Sequence, residues 1–425
     1  MSKSRSYYYP LAVIASLFFV FGFLTWISGI LIPYFQICLQ LSNVEASLVA
    51  FAIYIAYFTF SLPSAKILQW AGYKKGMALG LVIMAVGTLI FIPAAYLRAF
   101  PLFLIGLFVT GSGTTLLQAA VNPYVAVIGP IESTAQRIGF MGLANKLAGI
   151  ICITLLGSVF LLDADSIITQ IEGADAGAVT AILDDYVLKV VKPYIIITSV
   201  LLLLAVLVYF SRLPEVNESD SEQTKELSNI GSQKSTVFQY PHLLLGVLCL
   251  FVSTACEGLP IDGIIIYSRA LGIPIEEGRV YIQYSLYAML LGYIASVVLI
   301  PKYLTQQGGM LLCAVLGLIL SLASFYTEGV VSIYLLIFTA FGAAMLWGLI
   351  WGLSLRGLGR YTKIGSAILL MAVVGGGIFP LIFGRLIDVN TTYPQVSVLL
   401  LVPCYLILLF YAVWGHKYTS WSRNR

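Results

Sequence analysis

Charge is what this 425-residue chain has least of: Asp, Glu, Lys and Arg together make up 10% of it, against about a quarter in an ordinary soluble domain. That shortage excludes a soluble globular protein. Cysteine is also sparse. The six thiols show no CxxC spacing and lie mostly inside apolar runs, so neither a disulfide framework nor a metal site is expected, and they read as small packing residues. There are only two histidines, His242 and His416, and no nucleophile with a base at catalytic spacing. No enzyme and no cofactor are therefore expected. A phosphate-cradling Gly-Lys-Ser/Thr loop is missing too, which argues against an ATP-driven pump. Segments alternating with period two are absent, which excludes a transmembrane barrel.

What is present is apolar surface, at 60% of the residues. A helix needs ~20 apolar residues to cross a bilayer, and about twelve such runs can be traced, joined mostly by short polar turns. The first, residues 7–35, is too long for a signal-peptide core and is expected to remain as a span. One long polar run divides the chain into residues 1–213, a connector at 214–238, and residues 239–425. The second part echoes the first weakly: Gly76-Met77 returns as Gly309-Met310, and Arg137-Ile138-Gly139 as Lys363-Ile364-Gly365. The expected fold is an all-α polytopic membrane protein with twelve transmembrane helices in two six-helix halves, its binding site between the halves near mid-membrane. With both termini inside, sixteen Lys and Arg fall on the inner side and six on the outer, so the positive-inside rule makes both termini cytoplasmic.

Polar groups at membrane depth are costly unless they face a cavity, so they mark candidate sites. The fourth span carries Gln118 and Asn122; a turn with Glu132 and Arg137 follows; the fifth span carries Asn145 and Lys146. The seventh span brings Glu257 close to mid-bilayer, then Pro260 and Asp262. The first span is interrupted by Ser28-Gly29 and Pro33, either where backbone lines a cavity or at a plain proline kink. Trp347 and Trp351 lie among glycines in the tenth span, and Gly375-Gly376-Gly377 precedes Pro380 in the eleventh. Residues 161–193 read as a short external helix with a solvated acidic face.

Three stretches carry a family signature: LLQAAVNPYVAVIGP from Leu116, the Arg137-Ile138-Gly139 turn followed by Asn145, and RGLGRYTKIGSAILLMAVVGGGIFP from Arg356. Together they resemble the fucose–galactose–proton symporter family of the major facilitator superfamily, and within it the bacterial glucose/galactose branch. The resemblance spans nearly the whole chain and implies cation-driven monosaccharide uptake across a bacterial inner membrane. It also implies that Asn145 stands where the family has a sugar-contacting asparagine and Trp347 where it has a pocket tyrosine. Gln118 and Gly29 stand where the family has a functional glutamate and aspartate, so both coupling carboxylates are missing here.

Gln118, Asn122 and Asn145 offer uncharged donors and acceptors suited to sugar hydroxyls, and Trp347 an apolar face for a pyranose ring. Glu257, helped by Asp262, is the candidate replacement for the missing carboxylates, as a proton carrier or as hard-oxygen ligands to sodium. Lys146 is a third coupling candidate, its ammonium standing in for a coupling cation; alternatively Glu257 and Lys146 form a structural ion pair, or Lys146 snorkels to the inner surface. Lys74, Lys75, Glu132, Arg137, Arg356, Arg360 and Lys363 are candidates for a cytoplasmic gate, the alternative being topology signals alone. The expected partners are a small neutral sugar and the lipid bilayer, not nucleic acid, and one chain is expected to work as a monomer. A fucose or amino-sugar carrier, an uncoupled facilitator and a non-transporting membrane sugar sensor are the competing readings.

Overall fold

A computed structural model of the chain describes residues 5–127, 134–213, 236–300, 303–358, 361–418 and 420–421, and all regular structure among them is helical. Most of the connector, residues 214–235, lies outside the described residues. The first half contains α1 (Arg5–Thr25), α2 (Ser28–Cys38), α3 (Asn43–Tyr96), α4 (Phe100–Val127), α5 (Thr134–Phe160), α6 (Ala164–Glu172), α7 (Ala176–Leu188) and α8 (Val191–Phe210). The second contains α9 (Pro241–Gly258), α10 (Ile264–Ala270), α11 (Ile275–Leu299), α12 (Gln306–Tyr326), α13 (Gly329–Ser354), α14 (Thr362–Met371), α15 (Gly375–Val389) and α16 (Leu401–Val413). Local sequence sets several starts. Ser42 and Glu45 close a capping box on α3, Thr305 caps α12, and Pro241 opens α9 where its missing N–H costs nothing.

Among the described residues, eleven stretches are long and apolar enough to cross a membrane. The longest, α3, has 54 residues, which as one straight helix would measure ~80 Å, more than twice the hydrocarbon thickness. It is two spans. Gly72 adopts φ +77°, a conformation open to glycine, and the chain reverses there. Before it, Ile53 and Ala56 meet Gly111, and Tyr57 meets Gln118, so that segment runs parallel to α4. After it, Gly80 meets Gly113 and Leu117, and Gly87 meets Gly106, so that segment runs antiparallel to α4. Twelve spans result. All six cysteines are buried and free.

The first span of each half is broken in the middle. The interruption in the first lies at Trp26–Ile27, between α1 and α2, and not at Ser28-Gly29 or Pro33, which sit inside α2. In the seventh span a widened π turn, Leu259–Gly263, separates α9 from α10. Pro260 supplies no N–H to the helix ladder there, and its carbonyl accepts a hydrogen bond from Ser285 Oγ at 2.6 Å.

At the end of the bundle away from the termini, the two halves are stitched together. Asn43 Nδ2 donates to Asp388 Oδ1 at 2.5 Å, and Gln36 Nε2 donates to Asn43 Oδ1 at 2.6 Å. The glycine triplet lets the eleventh span press on the second: a Cβ on Gly377 would lie 2.7 Å from Phe51 Cα. The acidic external segment forms two helices, α6 and α7, instead of one, and it is more than a solvated face. Asp165 accepts from the backbone N–H groups of Ile275 at 3.1 Å and Glu276 at 3.0 Å, capping α11 of the other half. A cavity of about 630 Å³ lies at this end, bordered by Gln36, Asn43, Glu172, Ile266, Arg269 and Asp388.

Candidate substrate and coupling site

The site is built where the breaks of the first and seventh spans meet. Consecutive residues on α5, Asn145 and Lys146, both reach Trp26 at the end of the α1 segment. Trp26 Nε1 donates to Asn145 Oδ1 at 3.0 Å, and Lys146 Nζ lies 3.7 Å from the centre of the Trp26 ring. α1 and α5 come this close because Gly22, one turn before Trp26, has no side chain to meet the Asn145 backbone.

Lys146 Nζ also stands 2.8 Å from Glu257 Oε1 of α9, an ion pair between the halves. The Lys146 side chain is 3% exposed and that of Glu257 is 20% exposed. The lysine therefore does not snorkel; an opposite charge and an aromatic face hold it in the interior. Glu257 lies just past the midpoint of the thirty-residue span Pro241–Ala270.

Asp262 sits on the π turn, 2% exposed. Its Oδ1 accepts from Ser28 Oγ, the first residue of α2, at 2.7 Å. Its Oδ2 is buried without a hydrogen-bond partner. This contact also crosses between the halves, and Ser28 adjoins the Gly29 position singled out above. Glu257 and Asp262 therefore occupy different settings: one is paired with a cation, the other with a single hydroxyl.

Gln118 Nε2 meets Tyr57 Oη at 2.6 Å, and Gln118 and Asn122 border one small cavity of about 10 Å³ with Leu17, Phe18 and Phe21. That space is far below the roughly 300 Å³ of the smallest ordinary ligand pockets. Trp347 pairs with Trp351, ring centres 5.9 Å apart on α13, and the Trp351 indole nitrogen is buried without a partner. Of the gate candidates, Glu132 and Arg360 lie outside the described residues, as do the side chains of Arg137 and Lys363. Lys74 is half-buried and Lys75 and Arg356 are exposed, and none of the three forms an ion pair among the described residues.

Sequence reading missed Trp26 and Tyr57, and named Ser28 only as part of a helix interruption. Trp26 carried a usable signal, because it follows Gly22 at helical spacing in a span with a break. Ser28 carried one through its neighbour Gly29. Tyr57 carried none, being one aromatic among 26 tyrosines.

The chain is similar over nearly its full length to proteins named as sugar transporters. It is 30% identical over 420 residues to the glucose/galactose transporter of Brucella abortus biovar 1 (strain 9-941), covering 98% of this chain and 96% of that protein. It is 27% identical over 415 residues to the L-fucose-proton symporter of Escherichia coli (strain K12), covering 96% and 94%. The crystal structure of the E. coli fucose:proton symporter superposes with a TM-score of 0.71 at 26% identity, covering 96% of this chain and 98% of that one. The D-xylose-proton symporter shares the fold alone, with a TM-score of 0.67 at 17% identity, covering 97% of this chain and 100% of that one. With residues 14–380 matching the family model, the chain belongs to the Major Facilitator Superfamily.

Proposed function

We propose that this protein imports a neutral hexose of the glucose/galactose type together with a proton, by alternating access between two six-span halves, residues 1–213 and 239–425. The observation that carries the reading is the contact between the two broken spans. An interior with uncharged amides, one self-neutralised ion pair and one carboxylate with a vacant oxygen suits a neutral polyol plus one proton. The relatives are named as glucose/galactose and fucose-proton transporters. In this reading both termini face the cytoplasm of a bacterial cell, which the excess of Lys and Arg on that side supports, and the chain functions as a monomer.

Asp262 is assigned as the proton carrier. Glu257 Oε1 is committed to Lys146, whereas Asp262 Oδ2 is the place a proton would occupy. A hydroxyl donates more strongly to an ionised carboxylate than to a neutral acid. Ionised Asp262 therefore grips Ser28 across the halves, and the protonated acid grips it less, which links proton binding to their relative position. With Glu257 paired, the two acids do not offer sodium a joint ligand set, and the proton is preferred. Asn145, Gln118 and Asn122 contact the sugar as the halves separate, with Trp347 as an apolar wall.

The test is labelled glucose and galactose uptake into proteoliposomes with membrane potential clamped. An acid-outside pH gradient is expected to drive accumulation and a sodium gradient alone is not. Equilibration without accumulation under either gradient would reduce the protein to a facilitator.

The contacts at the end away from the termini act as an outer gate in this scheme. Three hydrogen bonds to ionised groups are lost in the Asn43→Ala/Asp165→Ala double variant, one to Asp388 and two from the first turn of α11, each worth roughly 1.5–3 kcal/mol, and the outward-open population should rise at least tenfold. Ile266 borders the outer cavity and is 4% exposed. Labelling of Ile266→Cys by an impermeant thiol reagent should accelerate by that factor in the double variant; an unchanged rate would remove these residues from the gate.

A further inference from the structure

We propose that Trp26 is the positioning residue that fixes which face of the Asn145 amide the sugar meets, so that the site offers the substrate a hydrogen-bond donor there and not an acceptor. The inference rests on the reading that Asn145 contacts the sugar, and it names how that contact selects its ligand.

An indole N–H only donates. Its partner at 3.0 Å on Asn145 must therefore be the amide oxygen, which settles the orientation of an otherwise ambiguous side chain. Oδ1 is then occupied, and Nδ2 remains, buried and without an acceptor. A buried amide donor left unpaired is costly and rare, and a sugar hydroxyl is an acceptor that would complete it. Trp26 itself has no freedom to release the oxygen. It is 4% exposed, its ring lies against the Lys146 ammonium, and it also packs on Gly149, where a Cβ would come within 2.6 Å of Trp26 Cδ1. The lysine is held in turn by Glu257. Trp26 thus ties the amide's orientation to the ion pair that joins the halves.

A locked donor has a chemical signature. Hydroxyls both donate and accept, so natural hexoses do not reveal it. Fluorine accepts weakly and cannot donate. At the ring position that meets Asn145, a monofluoro sugar should keep part of the contact that a monodeoxy sugar loses. An amide free to rotate would give no such preference beyond packing.

The experiment is competition by the full sets of monofluoro and monodeoxy glucose and galactose against labelled sugar in proteoliposomes. For the unmodified protein, one ring position is expected where the fluoro analogue competes about tenfold better than the deoxy analogue. Trp26→His keeps a ring N–H and should retain the preference; Trp26→Phe should bring it within twofold. Asn145→Asp keeps an acceptor for Trp26 but has no donor, and should reject the fluoro analogue as strongly as the deoxy one, which tests the idea even if Trp26→Phe does not fold. No fluoro preference at any position of the unmodified protein, or full retention of it in Trp26→Phe or Asn145→Asp, overturns the assignment while leaving hexose transport standing. Failure of every hexose to compete overturns the transport reading, and this inference with it.

Discussion

Asp262→Asn is expected to abolish proton-driven accumulation and to leave sugar exchange running. The amide keeps the shape of the acid and an oxygen for Ser28 Oγ, now 2.7 Å from Asp262 Oδ1, but it has no proton to pick up and release. A pH gradient of one unit stores about 1.4 kcal/mol and so sustains up to about tenfold accumulation at one proton per sugar. In the variant that ratio should fall to one, while counterflow of labelled sugar against unlabelled sugar stays within about twofold of the parent. Ser28→Ala should give an intermediate result, because it removes the link between the acid and the opposite half without removing the acid. Full accumulation by Asp262→Asn together with its loss in Glu257→Gln would transfer the role to Glu257, and Lys146 would then have to let go of it during the cycle.

The second large effect concerns that pair. Lys146→Met leaves Glu257 without its counter-ion in the interior, and removing one partner of a buried ion pair typically costs roughly 3–5 kcal/mol. The ammonium also leaves the Trp26 ring. The thermal unfolding temperature in detergent should drop for both single variants: Lys146→Met strands the Glu257 carboxylate, 20% exposed, and Glu257→Gln strands the 3% exposed Lys146 ammonium, which keeps the glutamine oxygen and the Trp26 ring. The double variant Lys146→Met/Glu257→Leu replaces the pair with apolar groups of similar size and should recover most of the stability. It should not recover uptake, because the halves then lack the contact that sets their approach near Asn145. Recovery of both stability and uptake would make the pair a structural filler. Equal stability of all three variants would show that the pair is broken in the membrane.

The helical spans were legible in the residues alone, and so was the presence of Asn145, Lys146, Glu257 and Asp262 within them. Hydrocarbon imposes a large, local penalty on every charge and every unpaired backbone group. Span length and the rarity of polar residues within spans therefore report the fold with little need of tertiary context. The family resemblance rests on the same local stretches, which is why it extends over nearly the whole chain.

What tertiary structure alone decided is who pairs with whom. Lys146 and Glu257, 111 residues apart, stood as a pair in the sequence only as one reading among several, and Ser28 and Asp262, 234 apart, not at all. Asp165 reads as one more solvated acid until α11 is seen to begin beneath it. Trp26 reads as one more aromatic in an apolar run until helix rotation points its N–H at Asn145. Rotation and tilt are set by many weak packing contacts summed along whole helices, while a hydrogen bond tolerates only tenths of an ångström and tens of degrees. The sequence therefore determined which groups had to find partners inside the membrane, and the packing of the twelve spans determined which partners they found.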